Sequence, residues 1–325
     1  MRRLIRFASL AVILAVAGYT LQHYDLSALK SLDARPKRGV AWNLFGGASE
    51  APDPGSIRIA SFNIQVFGAA KMKKPQVVNV LVEVVRRFDV IAIQEIRSQD
   101  QNLLPQFLDM VNATGRHYEF AIGPRLGRTN SKEQYAFIFD ADRIEIDRSS
   151  IYTVDDPDDL LHREPLVAAF RVRGPPASAA FTFTLVNIHT DPDEVLAELN
   201  VLDDVIQAVR NDGRGEDDVI LLGDLNADDA HLGDLGQLSN LICALSQVPT
   251  NTRGNRMYDN ILFDRLATSE YEGRAGVLDL QAEFNLTLDQ ALEISDHLPI
   301  WAQFRSHEGG HGGILATRPR HEPKR

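Results

Sequence analysis

Asp218-Val219-Ile220-Leu221-Leu222-Gly223-Asp224-Leu225-Asn226-Ala227 is a short aliphatic run that breaks into Gly, Asp and Asn. Aliphatic residues bounded by turn formers read as a strand buried on both faces, with Asp224 and Asn226 at its C-terminal end. A plain β-turn would have the same composition, so the segment gains meaning from its companions. Ile57–Phe62 runs into Asn63, Asp89–Gln94 into Glu95, and Phe181–Ile188 into His189. Strands that end this way suggest one shared rim of a sheet, where the catalytic groups of α/β domains gather.

Helical periodicity alternates with some of these strands. Val77, Val80, Leu81, Val84, Val85 and Phe88 keep a 3.6-residue spacing, as do Val195, Leu199, Leu202, Val205, Ile206 and Val209. Asp191, Pro192 and Glu194 predict a capped start for the second helix, directly behind His189. Further strands are expected at Tyr135–Asp140, Leu166–Val172, Met257–Phe263 and Leu298–Phe304, without helices of comparable strength between them. The pattern predicts a mixed α/β sandwich with no internal repeat.

The chain has 325 residues, 44% hydrophobic and 24% charged, which excludes a disordered or collagen-like protein. Its formal charge of −11 argues against a broad basic nucleic-acid surface. Residues 1–56 carry seven Lys/Arg against four Asp/Glu and residues 306–325 carry four against two, so residues 57–305 hold −16. The lone cysteine, Cys243, excludes an intramolecular disulfide and a cysteine zinc cluster, and its apolar neighbours predict a buried packing residue.

Met1-Arg2-Arg3-Leu4-Ile5-Arg6 is a basic start, and Phe7–Leu21 is uncharged and mostly apolar. Residues 1–21 are read as a signal peptide or an uncleaved membrane anchor, with both alternatives open. Either places the following domain outside the cytoplasm, as a periplasmic, secreted or membrane-tethered protein. Residues 22–56 read as a linker, 57–305 as the domain and 306–325 as a disordered tail.

Nine histidines are present, and His189 and His297 occupy chemically suggestive settings. Imidazole serves as general acid or base near neutrality. A lone histidine at a strand end is more often structural, but five separate turns here present Asn63, Glu95, His189, Asp224 with Asn226, and Asp296-His297. Acidic and amide side chains without cysteine suit a hard cation such as magnesium, manganese or calcium. Two histidines beside such a cation suit in-line hydrolysis of a phosphate ester.

Ser61-Phe62-Asn63-Ile64-Gln65-Val66-Phe67-Gly68, Ile93-Gln94-Glu95-Ile96-Arg97, Leu126-Gly127-Arg128, Lys132-Glu133, Arg163-Glu164-Pro165, Gly223-Asp224-Leu225-Asn226-Ala227-Asp228, Tyr258-Asp259-Asn260-Ile261 and Ile294-Ser295-Asp296-His297 occur in that order. Together they resemble the endonuclease/exonuclease/phosphatase superfamily, and within it the pancreatic deoxyribonuclease (DNase I-like) branch. The resemblance implies an α/β four-layer sandwich, two packed mixed β-sheets flanked by helices, with one divalent-metal site at the rim. It implies that Glu95 is a metal ligand with Asn63 and Asp296 beside it. His189 would be backed by Glu133, and His297 by Asp259. Asp224 and Asn226 would hold the metal, the nucleophilic water or the scissile phosphate, and Arg97 and Arg163 would contact phosphate or groove.

Several positions depart from that pattern. The two disulfides of the secreted animal enzymes are missing. Gln65 stands where an arginine touching the DNA backbone is common, and Ser131 where a tyrosine packs into the minor groove. Asp156, Asp159 and Glu164 overlap a structural calcium site of the family, although a solvated acidic turn is an equal alternative. Val248 replaces an acidic ligand at the second calcium loop, which is expected to be absent.

The resulting expectation is a metal-dependent DNA endonuclease using Mg2+ or Mn2+, with Ca2+ as a further candidate, acting as a monomer on DNA as a transient partner. The alternative is a phosphatase or a phospholipid or sphingomyelin phosphodiesterase on the same fold. A non-catalytic binding module is the remaining class, and its signature, loss of a histidine or of Glu95, is absent.

Overall fold

The computed structural model describes residues 53, 55–310, 312, 313 and 315. The signal or anchor segment and most of the linker therefore lie outside the described residues. In chain order the strands are β1 (Ser56–Phe67), β2 (Val90–Ile96), β3 (Tyr118–Ile122), β4 (Gln134–Asp140), β5 (Ile144–Thr153), β6 (Leu166–Val172), β7 (Thr182–His189), β8 (Val219–Asp224), β9 (Leu241–Cys243), β10 (Asp259–Asp264), β11 (Tyr271–Val277) and β12 (Ile300–Arg305).

They form two six-stranded sheets, ordered β11-β12-β1-β2-β4-β3 and β5-β6-β7-β8-β10-β9. Each sheet has one parallel pair at its centre, β1 with β2 and β7 with β8, and is otherwise antiparallel. The C-terminal ends of these four central strands carry Asn63, Glu95, His189 and Asp224.

The period-two alternation of β1 explains the layering. Ile57 and Ile59 pack between the sheets, whereas Ala60, Phe62 and Ile64 face the helices Pro75–Val85 and Leu103–Asn112. The inter-sheet layer is rich in phenylalanine, with Phe170 stacked on Phe183 at 5.5 Å and Phe181 on Phe183 at 4.9 Å. Each such buried ring contributes roughly 1.5–3 kcal/mol. Val205 and Val209 of the helix Leu202–Arg210 cover the outer face of the second sheet with Val186, Ile188 and Leu221. The arrangement is the expected α/β four-layer sandwich.

Four differences from the sequence reading have local causes. The helix expected behind Asp191 begins at Val195 and is divided into Val195–Leu199 and Leu202–Arg210. Asp191 instead closes a turn, its backbone carbonyl accepting from Glu194 and its side chain from Asp193. Strands β3, β5, β9 and β11 had no sequence signal strong enough to place them, and each is a sheet edge. Cys243 is half-buried on edge strand β9 rather than fully buried, and burial pushes its thiol up to about 11. The tail expected to be disordered from residue 306 begins with ordered contacts. His307 bridges Ala180, the Glu308 N–H donates to the Ala179 carbonyl, and the Gly313 N–H donates to Thr182 Oγ1 at 2.7 Å.

Candidate active site

Two adjacent bulges shape the rim. The β1–β2 register passes from Asn63 opposite Gln94 to Phe67 opposite Ile96, so β1 has two extra residues there. The β2–β4 register likewise gains one residue between Ile93 and Ile96. Gln65, Val66 and Glu95 consequently sit at φ 42°, 53° and 62°, a region uncommon outside glycine and costly for a β-branched side chain. The distortion is fastened by the rim itself. Gln65 N donates to Asn63 Oδ1 at 3.0 Å and Val66 N to Glu95 Oε2 at 2.9 Å.

Asp224 is the hub. It is 1% exposed, and its Oδ2 accepts from Asn63 Nδ2 at 3.0 Å. The same oxygen faces His189 Nε2 at 3.5 Å and His297 Nε2 at 3.3 Å. Each imidazole is held from behind by its own carboxylate: Glu133 Oε1 lies 2.8 Å from His189 Nδ1, and Asp259 Oδ2 lies 2.9 Å from His297 Nδ1. This leaves both Nε2 atoms turned toward one point. Burial works against the charged form of His189, but Asp224 and Glu133 outweigh it and raise the pKa above the usual histidine value. Burial also opposes charge on His297, and Asp259 and Asp224 overcome it by a wider margin.

The supporting carboxylate of His189 is embedded among cations. Burial would raise the Glu133 pKa, yet His189, Arg163 and Arg97 hold it below the usual range. Arg163 Nε lies 3.0 Å from Glu133 Oε1, and Arg97 Nη2 spans Glu95 Oε2 at 3.1 Å and Glu133 Oε2 at 3.3 Å. Arg163 is 5% exposed and also contacts the His189 and Thr190 carbonyls and, at 4.0 Å, Asp191 Oδ2, so it braces the histidine from within. Arg97 is the more open of the two and also donates to Ser131 Oγ at 3.1 Å. Asn226, at φ 49°, donates from Nδ2 to the Thr190 carbonyl at 2.9 Å and from its backbone to Asp224 Oδ1 at 3.0 Å.

Glu95 and Asp296 both act on the ammonium of Lys71, and Asn63 Nδ2 donates to Glu95 Oε1 at 3.2 Å. The Asp296 side chain is half exposed, so its carboxylate remains available. Two carboxylates and an amide, with no sulfur among them, fit a hard divalent cation such as magnesium, manganese or calcium. Asp224, Asp259 and His297 also bring ligating atoms within 4.8 Å of one another. There Asp259 is already committed to His297 and to the Thr250 hydroxyl at 2.7 Å, which makes it a histidine support.

Lys71 and Thr250 carried no signal in the sequence, and Gln94 and Asn187 showed there only within strand segments. Lys71 donates from Nζ to the carbonyls of Ile64 at 2.7 Å, Gln65, and Ile294 at 2.8 Å. It thereby ties the β1 bulge to the segment leading into Asp296-His297, and burial pulls its pKa down to about 8. Thr250 orients Asp259. Gln94 Nε2 donates to Asn187 Oδ1 at 2.7 Å, while Asn187 Nδ2 donates to the Ile93 and Ala136 carbonyls, stitching the two sheets beneath the rim.

Asp156, Asp159 and Glu164 do not converge. Asp156 accepts from the backbone of Leu160 and Leu161, closing its own loop, and Asp159 pairs with Arg128. Two of the three acids thus have local partners.

A family model described as the Endonuclease/Exonuclease/phosphatase family matches residues 60–297. The chain belongs to that family. Bovine deoxyribonuclease-1 is 32% identical over 263 residues, covering 75% of this chain and 91% of its own, and mouse deoxyribonuclease-1-like 2 is 31% identical over 264 residues, covering 78% and 93%. These relatives place it in the DNase I-like branch, and family membership makes it a hydrolase acting on phosphoric ester bonds. A humanized TDP2 structure from D. rerio has a TM-score of 0.54 at 16% identity, covering 77% of this chain and 98% of that one. That likeness bears on the fold of the family alone.

Proposed function

We propose that the protein is a divalent-metal-dependent phosphodiesterase that nicks DNA outside the cytoplasm. The observation that carries the reading is the pair of Nε2 atoms converging on Asp224 Oδ2, each imidazole backed by a separate buried carboxylate. Hydrolysis of a phosphodiester needs a proton acceptor for the attacking water and a proton donor for the departing oxygen, and two histidines flanking a phosphate supply both.

Water attacks phosphorus and gives its proton to one Nε2, while the other Nε2 protonates the leaving 3′ oxygen, leaving a 5′-phosphate and a 3′-hydroxyl. Glu133 and Asp259 hold the Nδ1 protons and so fix which nitrogen reacts. Asp224 favours the protonated form of the imidazole that acts as acid, and Asn226 and Asn63 fix its two oxygens. Glu95, Asp296 and Asn63 would hold the metal, whose chemistry is to neutralise charge developing on the phosphoryl oxygens. Arg97 stands beside this set as a phosphate contact.

The DNA reading is supported by relatives named deoxyribonucleases, and the export reading by the basic start and apolar run of residues 1–21. Among the described residues no helix is long and apolar enough to cross a membrane, so tethering would fall to that N-terminal run. Gln65 at the rim and Ser131 beside Arg97 contribute no charge to duplex grip, which fits weak, metal-assisted binding by a domain of net −16.

Side-by-side assay of the full chain on supercoiled plasmid, RNA, sphingomyelin and inositol phosphates, with Mg2+, Mn2+ or chelator, tests the proposal. Plasmid relaxation that chelator abolishes is the expected result. Turnover of a lipid or a monoester with intact plasmid would replace DNA as the substrate class.

A further inference from the structure

A second group of acids lies at the opposite end of β8 from Asp224. Glu216, Asp217 and Asp218 present carboxylate oxygens within 4.8 Å of one another, and so do Asp218, Glu270 and Glu308. Asp218 joins the two sets. It is fully buried and neither of its carboxylate oxygens has a hydrogen-bond partner. Glu270 is 1% exposed with its Oε2 equally unpartnered, and the buried Thr268 hydroxyl lies beside Asp218 without a well-aligned hydrogen bond to it. The charges acting most strongly on Asp218 and Glu216 are other carboxylates. Burial and the neighbouring carboxylates push the Asp218 carboxyl up to about 9 and the Glu216 carboxyl up to about 7, so the cluster relieves its crowded negative charge by holding protons or by binding a cation.

We propose that Asp218, Glu270, Glu308 and Glu216 form a divalent-cation site, calcium by donor type, that fastens the C-terminal segment to the pole of the second sheet opposite the active site. Calcium takes six to eight oxygens in adaptable geometry, whereas magnesium demands a near-ideal octahedron and usually keeps several waters. A crowd of carboxylates with a threonine hydroxyl nearby matches the former. The six-residue rise of β8 separates the two sites by about 20 Å, which makes this one structural rather than catalytic.

The chain runs across the site. Glu308 Oε2 accepts from Thr182 N at 3.2 Å, Gly309 N donates to Glu270 Oε1, and Gly313 N donates to Glu216 Oε2 at 3.2 Å. A Cβ on Gly313 would lie 2.4 Å from Glu216 Oε2 and 2.9 Å from its Cβ, so a larger residue there would push the Glu216 side chain aside. A cation bound beneath would hold Glu308 directly and these N–H donors through the acids they touch.

Calorimetric titration of CaCl2 into the chelator-stripped full chain, with a thermal melt at each end point, tests the proposal. Wild type is expected to bind calcium and to melt at least about 3 °C higher with it. Asp218→Asn and Glu308→Gln should each bind one ion fewer, and Glu95→Gln should retain the ion at this pole. Glu308 lies on the terminal segment, so its variant keeps the test open if Asp218→Asn misfolds. Unchanged stoichiometry and an unchanged thermal gain in Glu308→Gln would overturn the proposal, as would a wild type that binds no calcium.

Discussion

His297 meets a carboxylate at each of its nitrogens, Asp259 at 2.9 Å and Asp224 at 3.3 Å, while His189 meets Glu133 and Asp224 in the same way. Burial alone would lower both pKa values, and the carboxylates reverse the sign. A histidine whose folded pKa is raised contributes stability that is complete below its unfolded value near 6.5 and is lost as pH rises through the folded value. In chelator-treated protein, an NMR titration of the imidazole protons should therefore give midpoints above about 6.5 for both histidines. Asp259→Asn should lower the His297 midpoint. Two midpoints at the ordinary value would mean that the carboxylates do not act on the rings as their distances imply. Asn63, Glu95, His189 and Asp224 were legible because each lies at the C-terminal end of an apolar central strand, whereas Asp296-His297 follows the helix Leu288–Ile294 and was legible only as a motif. Lys71 and Thr250 were not, since a single Lys or Thr in a polar stretch acquires its role only from residues that the fold brings to it.

At the scale of elements, the central strands were readable and the edges were not. A central strand is buried on both faces and appears as a continuous apolar run, as in Val219–Leu222. The edge strands β3, β5, β9 and β11 have only intermediate or mixed burial, so their sequences mix polar and apolar residues without a clean period. Bulges at Gln65-Val66 and at Glu95 are equally hidden, because their φ values are imposed by the rim contacts rather than by glycine. One backbone requirement is plain in the sequence once β7 and β8 are paired. Gly223 has φ 153°, and a Cβ there would come within 1.9 Å of the Ile188 carbonyl oxygen. Gly223→Ala should destabilise the fold by about 3 kcal/mol or more in urea unfolding, and a loss below about 1 kcal/mol would show that the strands part easily. Lys71→Met keeps much of the stem but removes three hydrogen bonds. It should cost about 2 kcal/mol of stability and lower kcat more than it raises KM, because the β1 bulge and the Asp296 segment would no longer be held in register. Wild-type kcat in a stable Lys71→Met protein would deny it that positioning role.

For the whole molecule, the domain charge of −16 first reads as a bar to nucleic acid. The structure distributes that charge unevenly. Arg97 and Arg163 accompany Glu95 and Glu133 at the rim of the candidate site, while Glu216, Asp218, Glu270 and Glu308 gather at the far pole. A nuclease must release its product, so a small cationic set beside a metal suffices where a broad basic face would retain DNA. The proposed hydrolysis depends most heavily on the two histidines acting together at that rim. Its most direct test is the rate of supercoiled-plasmid nicking in Mg2+ by wild type, His189→Ala and His297→Ala, with circular dichroism confirming that each variant is folded. Each substitution is predicted to lower the rate by at least about 10²-fold; either folded variant nicking at the wild-type rate would contradict the mechanism.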